Sequence, residues 1–194
     1  MGEAVRADAR RNYELVLAAA REAFAEHGTE ASLRDVARRA GVGIGTLYRH
    51  FPTREALLEA LMRDGFDRLR EEAVQLYSAA DARSALVEWL GRMASGSSEY
   101  RGLPESVLAA LHDEGSPLHE SCAAMRAAGA RLLERAQAAG EVRADVTPNE
   151  LIALAGGVAW ASERSVERSG DGSKEGPALL RRLLALAVEG ISPR

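Results

Sequence analysis

The sequence predicts an all-α protein: three closely spaced helices at the N-terminus followed by a larger bundle of six, about nine helices in all. Three observations carry this. Six prolines and 5% aromatics in 194 residues, with Ala, Leu, Arg and Glu throughout, favour helix over strand on intrinsic propensity. Apolar residues recur at intervals of three and four, the mark of a single buried helical stripe. Capping residues open these stretches, and glycine or proline closes most of them. A hydrophobic content of 46% is enough to bury a core, so the chain should be globular.

Residues 1–7 read as a frayed terminus, and Asp8 can cap the first helix. Tyr13, Val16, Leu17, Ala20 and Phe24 mark its buried stripe, and Gly28 stops it with His27 against the helix's negative end. Ser32 and Asp35 fit a capping box for a second helix. That helix buries Leu33, Val36, Ala37 and Ala40 and leaves Arg34, Arg38 and Arg39 outside. Gly41 falls at C′, where positive φ is needed, and Val42 can turn inward after it. Gly43 opens a third helix anchored by Leu47 and Phe51, with Ile44, Thr46, Tyr48, Arg49 and His50 available outward. Pro52 ends it and Thr53 caps a fourth, which runs to about Tyr77 and turns Leu57, Leu58, Leu61, Met62, Phe66, Leu69, Ala73 and Leu76 inward. At ~1.5 Å per residue this rod is roughly 36 Å long and serves both halves of the chain. The boundary is expected near Gly65, giving domains 1–65 and 66–194.

Asp81 caps the next helix, which carries Leu86, Trp89, Leu90 and Met93 before an irregular Gly96-Ser97-Ser98. Gly102 and Pro104 bracket a turn into the short helix SVLAALHDEG, closed by Gly115. Ser116 and Pro117 then supply a cap and a first-position proline for a long helix of Leu118, Cys122, Met125, Gly129, Leu132 and Ala136, ending at Gly140. Thr147 and Glu150 form a second capping box, leading into Leu151, Leu154, Ala155, Val158 and Ser162. A polar, glycine-rich stretch from Ser169 to Gly176 is expected to be mobile. The last helix starts at Pro177 and buries Leu180, Leu183, Leu184 and Ala187.

Two short helices joined by a glycine turn make a helix-turn-helix, whose second helix can lie in a major groove. Helical spacing alone does not single the motif out, but the literal residues do. AGVGIGTLYRHFPTREALL, from Ala40 to Leu58, closely resembles the DNA-binding signature of the tetracycline-repressor (TetR) family. The resemblance covers about the first 65 residues. Beyond them, YRGLPESVLAAL and AAGEVRADVTP look like C-terminal domains common in actinobacterial members of the family. It implies an N-terminal three-helix helix-turn-helix DNA-binding domain and a C-terminal six-helix bundle for ligand binding and dimerisation. It also implies a one-component transcriptional regulator, a dimeric repressor of a palindromic operator released by a small-molecule effector.

Carried over by position, Thr46, Tyr48 and His50 are implied phosphate and groove contacts. Arg54 stands at the family's phosphate-binding lysine, while Ile44, Gly45 and Arg49 occupy variable groove-facing positions. Arg34 joins them from the preceding helix, and Gly45 lets the backbone approach a phosphate closely. Two residues depart from the pattern. Thr29 follows Gly28 where many members have an aromatic, and Gly43 replaces a frequent serine, a change worth only a few tenths of a kcal/mol. Arg6, Arg10 and Arg11 fit either a basic arm toward a minor groove or a solvated terminus.

The net charge of −4 argues against a nucleic-acid binder until it is divided. Residues 1–54 hold nine arginines and seven acidic residues, whereas residues 55–194 hold sixteen basic and twenty-two acidic ones. Lys174 is the one lysine among twenty-five basic residues, which suits bidentate contacts to guanine or phosphate and equally suits a GC-rich coding bias. A single cysteine, Cys122, fits a reducing compartment, and no apolar run is long enough for a signal peptide or membrane span, so a cytoplasmic location is expected.

No Ser-His-Asp arrangement or phosphate loop is present, so no catalytic residues are assigned and no enzyme is expected. His119 and Cys122, with His112 as a third, lack a fourth ligand, so no metal and no cofactor are expected beyond an unidentified small-molecule effector. Candidate pocket residues are Trp89, Met93, Leu103, Leu111, Met125 and Trp160, with His112 and Arg126 as polar handles. Expected partners are a double-stranded DNA operator and a second copy of the chain, a homodimer through the last two helices. There Ala155, Gly156, Gly157 and Ala159 would form a small-residue surface. The alternative reading is a helical ligand-binding or carrier bundle without gene control.

Overall fold

The computed structural model describes residues 2–97, 103–169 and 176–190. Among them the regular structure is helical throughout: α1 (Gly2–His27), a 3-10 turn (Gly28–Glu30), α2 (Leu33–Arg39), α3 (Ile44–His50), α4 (Arg54–Leu76), α5 (Ala82–Ser97), α6 (Glu105–His112), α7 (Pro117–Ala138), α8 (Pro148–Ser169) and α9 (Gly176–Gly190). The all-α expectation holds. α1 already begins at Gly2, although a start at Asp8 was expected, so Arg6, Arg10 and Arg11 extend the helix rather than lie in a frayed tail. The expected irregular Ser98 and Gly102 and most of the Ser169 to Gly176 stretch lie outside the described residues.

The chain divides into two compact units, Met1–Asp64 with Glu99–Glu120, and Gly65–Ser98 with Ser121–Arg194. α4 runs through both, and so does α7. α6 and the first turn of α7 group with the N-terminal unit, for which the sequence carries no local signal.

In the first unit α1 packs on α2 and α3, and α2 on α3. Val16, Ala20 and Phe24 of α1, Val36 of α2, Leu47 of α3 and Leu57, Leu58 and Leu61 of α4 are all essentially inaccessible. α2 ends in a Schellman turn: Gly41 sits at φ +68°, its N–H donating to Arg38 O at 3.2 Å while that of Val42 donates to Ala37 O at 3.0 Å. The capping box expected at the start of α2 does not form. Ser32 makes no side-chain cap bond, and the reciprocal bond from Asp35 is missing because its carboxylate is taken by Arg38 and Arg39 one turn on. The caps expected at Thr53, Asp81, Ser116 and Thr147 do form; Thr147 and Glu150 bond reciprocally at 2.8 to 3.3 Å.

The second unit is built round Trp89. α8 packs on α9, and both pack on α5. The indole is 1% exposed and donates from Nε1 to Leu69 O at 2.9 Å. Its ring lies directly against Gly129, where an added Cβ would fall 2.2 to 2.8 Å from three ring carbons. α7 needs glycine there for that reason. Leu86, Leu90, Met125, Leu132, Leu133, Leu151, Leu180 and Leu184 complete the core. Ala155 and Ala159 also face it, at 1% and 3% exposure, so the expected four-residue surface is not presented as a group. Leu154, Gly157 and Trp160 occupy the outward face of α8. Among the described residues no helix is long and apolar enough to cross a membrane.

Candidate nucleic-acid interface

α3 is a short helix held from behind. Leu47 is fully buried, and Phe51, just past its last residue, is 2% exposed. Phe51 packs on Tyr13 of α1 with ring centroids 4.9 Å apart, and His50 meets the same ring edge-on at 6.1 Å. Burial against this cluster pushes the Tyr13 hydroxyl above its ordinary pKa. Gly43 caps the other end with its carbonyl, which accepts from Thr46 N at 2.9 Å and Leu47 N at 3.2 Å.

With one face fixed, the other is free. Ile44, Gly45, Tyr48 and Arg49 are exposed, and Thr46 and His50 half-buried. Tyr48 stands out with 48% of its surface accessible. An added Cβ at Gly45 would meet nothing within 4 Å, so no internal contact requires glycine at that position. Arg49 lies over its own helix, Nη2 donating to Thr46 Oγ1 at 3.3 Å, a weak bond that an external acceptor can replace.

The other arginines of this unit divide by partner. Arg34 on α2 is exposed. Arg39 is committed to the frame: its guanidinium makes a two-pronged bond with Glu26 of α1 at 2.6 and 2.8 Å while Nε donates to Asp35 at 2.7 Å. The bond from Arg39 holds the Glu26 carboxyl below the ordinary range, and those from Arg38 and Arg39 do the same for Asp35. Arg21 of α1 pairs with Asp64 of α4. Arg54 turns back into the unit, Nη1 donating to the carbonyls of Thr29 at 2.6 Å and Ala31 at 2.7 Å. Sequence reasoning missed this, because nothing local to Arg54 points to partners more than twenty residues away.

Ile44, Gly45, Thr46, Tyr48, Arg49 and His50 therefore share one short helix with a solvent-facing side, with Arg34 on the helix before it. A rigid, exposed helix rich in donors and stripped of competing acidic groups is what a major groove admits.

Residues 16–61 match the family described as bacterial regulatory proteins, tetR family, and residues 81–193 match the SbtR-like transcriptional regulator C-terminal domain. A TetR transcriptional regulator of Streptomyces coelicolor is 34% identical, the alignment covering 93% of this chain and 98% of that one with a TM-score of 0.71. The chain belongs to the TetR family. A TetR regulatory protein of Mycobacterium vanbaalenii agrees, at 32% identity over 97% of this chain and 99% of that one, TM-score 0.63. An HTH-type transcriptional regulator of Staphylococcus aureus is 37% identical over 67 residues, and the chain spans about a third of that relative's length. As a member of the TetR family the protein is a DNA-binding transcriptional regulator, not an enzyme.

The six apolar residues suggested as a pocket differ in burial. In this TetR-family chain Trp89 and Met125 are core, 1% and 4% exposed, and Met93 packs against them. Trp160 is 62% exposed, with the Arg164 guanidinium 5.1 Å over its ring. Leu103 and Leu111, half-buried, belong to the first unit. A depression of about 60 Å³ in the second unit is lined by Ala73, Val74, Tyr77, Ala128 and Arg131, well below the usual size of a ligand pocket. The suggested handles are also placed. His112 Nδ1 is bonded to Leu108 O at 2.7 Å, and Arg126 is exposed. Burial raises the pKa of the Cys122 thiol, which disfavours the nucleophilic thiolate.

Proposed function

We propose that the protein is a dimeric, cytoplasmic repressor that binds a palindromic operator through α3 and is released by a small-molecule effector. The observation that carries the reading is the asymmetry of α3. Leu47 is anchored at 0% exposure, and Ile44, Tyr48 and Arg49 stand in solvent on the same two turns. In the bound state Thr46, Tyr48 and His50 contact backbone phosphate and Gly45 lets the backbone approach phosphate closely, while Ile44 and Arg49 meet base edges and Arg34 steadies the flanking strand.

One such helix reaches few base pairs, so two copies are required, reading half-sites about 34 Å apart. The outward faces of α8 and α9 support the pairing. Leu154, Trp160 and Leu186 are 39%, 62% and 54% exposed, apolar side chains that a second copy would cover. The DNA-binding domain is taken as residues 1–65 and the effector and dimerisation domain as 66–194. α4, shared by both, couples effector to operator; a coupling of about 1–3 kcal/mol changes affinity roughly 5- to 150-fold, enough to switch a gene.

Fluorescence anisotropy with DNA from upstream of the protein's own gene tests the reading. Binding that is sub-micromolar, weakens with salt and resists nonspecific competitor supports it. No binding above that to random DNA contradicts it.

A further inference from the structure

Arg54 is the first residue of α4, immediately after the end of the helix-turn-helix, and its partners Thr29 and Ala31 immediately precede the start of α2. Both hydrogens of Nη1 are used, one on each carbonyl, at 2.6 and 2.7 Å. These are the short distances of charge-assisted bonds. Thr29 lies in the 3-10 turn that follows α1. Thr29 is 5% exposed and Ala31 2%, so the guanidinium reaches backbone inside the unit, with its stem half-buried.

We propose that Arg54 is a positioning residue for operator binding: a clasp that joins the two ends of the helix-turn-helix and so fixes the tilt of α3, not a phosphate contact. The inference rests on α3 being the DNA-reading element. Apart from this clasp, α3 is held at Leu47 and at the Phe51–Tyr13 contact, both of which fix its depth. The clasp adds a constraint across the whole motif. A lysine nitrogen could also donate to both carbonyls but lacks the planar guanidinium that fixes the directions of its hydrogens, so it would be only a partial substitute.

Three measurements on the full chain separate the roles: DNA affinity against salt, thermal stability, and amide hydrogen exchange without DNA, for the parent, Arg54→Ala and Arg54→Lys. A clasp predicts that folded Arg54→Ala binds DNA about tenfold more weakly, equivalent to about 1.4 kcal/mol. The slope of log affinity against log salt stays the same, and exchange quickens across α2 and α3 in the free protein. Arg54→Lys falls between the two. A slope smaller by about 0.9 is the loss of one phosphate contact and overturns the proposal. So does unchanged affinity with a lower melting temperature, which makes Arg54 merely structural. If Arg54→Ala does not fold, Arg54→Lys is judged by the same readouts. A parent that binds no DNA refutes the α3 reading, and the exchange result alone then decides whether the clasp exists: unchanged exchange overturns it.

Discussion

The two units use similar side chains to opposite ends. In the first, a thin apolar layer of Leu47, Phe51 and the α1 stripe holds a helix whose polar and aromatic groups, Tyr48 and Arg49 above all, face water. In the second, the large aromatic Trp89 is itself the core, packed on Gly129 and bonded to Leu69 O. Exposure therefore separates function from packing in the DNA-binding unit. It cannot do so in the helical bundle, where a pocket wall and a core residue are the same chemistry until a ligand occupies the space.

The largest test of that contrast is Trp89→Ala. A buried indole that fills the bundle should cost about 3–5 kcal/mol on truncation, measured by denaturant unfolding. A loss under about 1.5 kcal/mol would mean that the bundle closes over the vacancy and that Trp89 lines usable space. On the exposed side, Arg49→Ala should leave stability within about 0.5 kcal/mol and relax base preference by about 1–3 kcal/mol at the position it reads. Tyr48→Ala should weaken binding on all sequences alike and, because the phenol is neutral, leave the salt slope unchanged. A DNA selection returning the same consensus for the Arg49 variant and its parent removes Arg49 from base reading.

Gly45→Ala sharpens the comparison further, because stability and function should move in opposite directions. With open space at the Cβ position, alanine should stabilise α3 by about 0.5–1 kcal/mol, yet DNA affinity should fall as the methyl holds the backbone away from phosphate. Gains in both would mean that Gly45 makes no close approach.

The smallest effect concerns the frame. Glu26 and Asp35 have depressed carboxyl pKa values when folded, so the stability they add is complete above about pH 4, the unfolded carboxyl range, and is lost as pH falls through the lower folded values. Arg39→Met should therefore be less stable than the parent at neutral pH, and the two should converge only as pH falls below the depressed folded values. A difference that persists in acid would assign Arg39's role to packing of its stem.

The sequence made the outward face of α3 legible because glycine and proline signals bound it at both ends and Leu47 and Phe51 set its phase. Gly41 was legible for the same local reason. Features decided by competition or distance were not. Asp35 fits a cap on paper, but two arginines within one turn claim its carboxylate. The Arg54 clasp spans more than twenty residues and leaves no periodic trace. In α8 the small residues were recognised but not their phase: Ala155 and Ala159, four apart, share the buried face, and Trp160, one position further, is swung out to solvent.

Selection of the purified chain against random double-stranded DNA tests the central claim most directly. The account predicts an enriched two-fold symmetric sequence, half-sites centred about 10 base pairs or a multiple apart, bound less tightly as salt rises and less tightly by Tyr48→Ala. No enrichment, or a consensus and affinity untouched by changes at Tyr48 and Arg49, would contradict it.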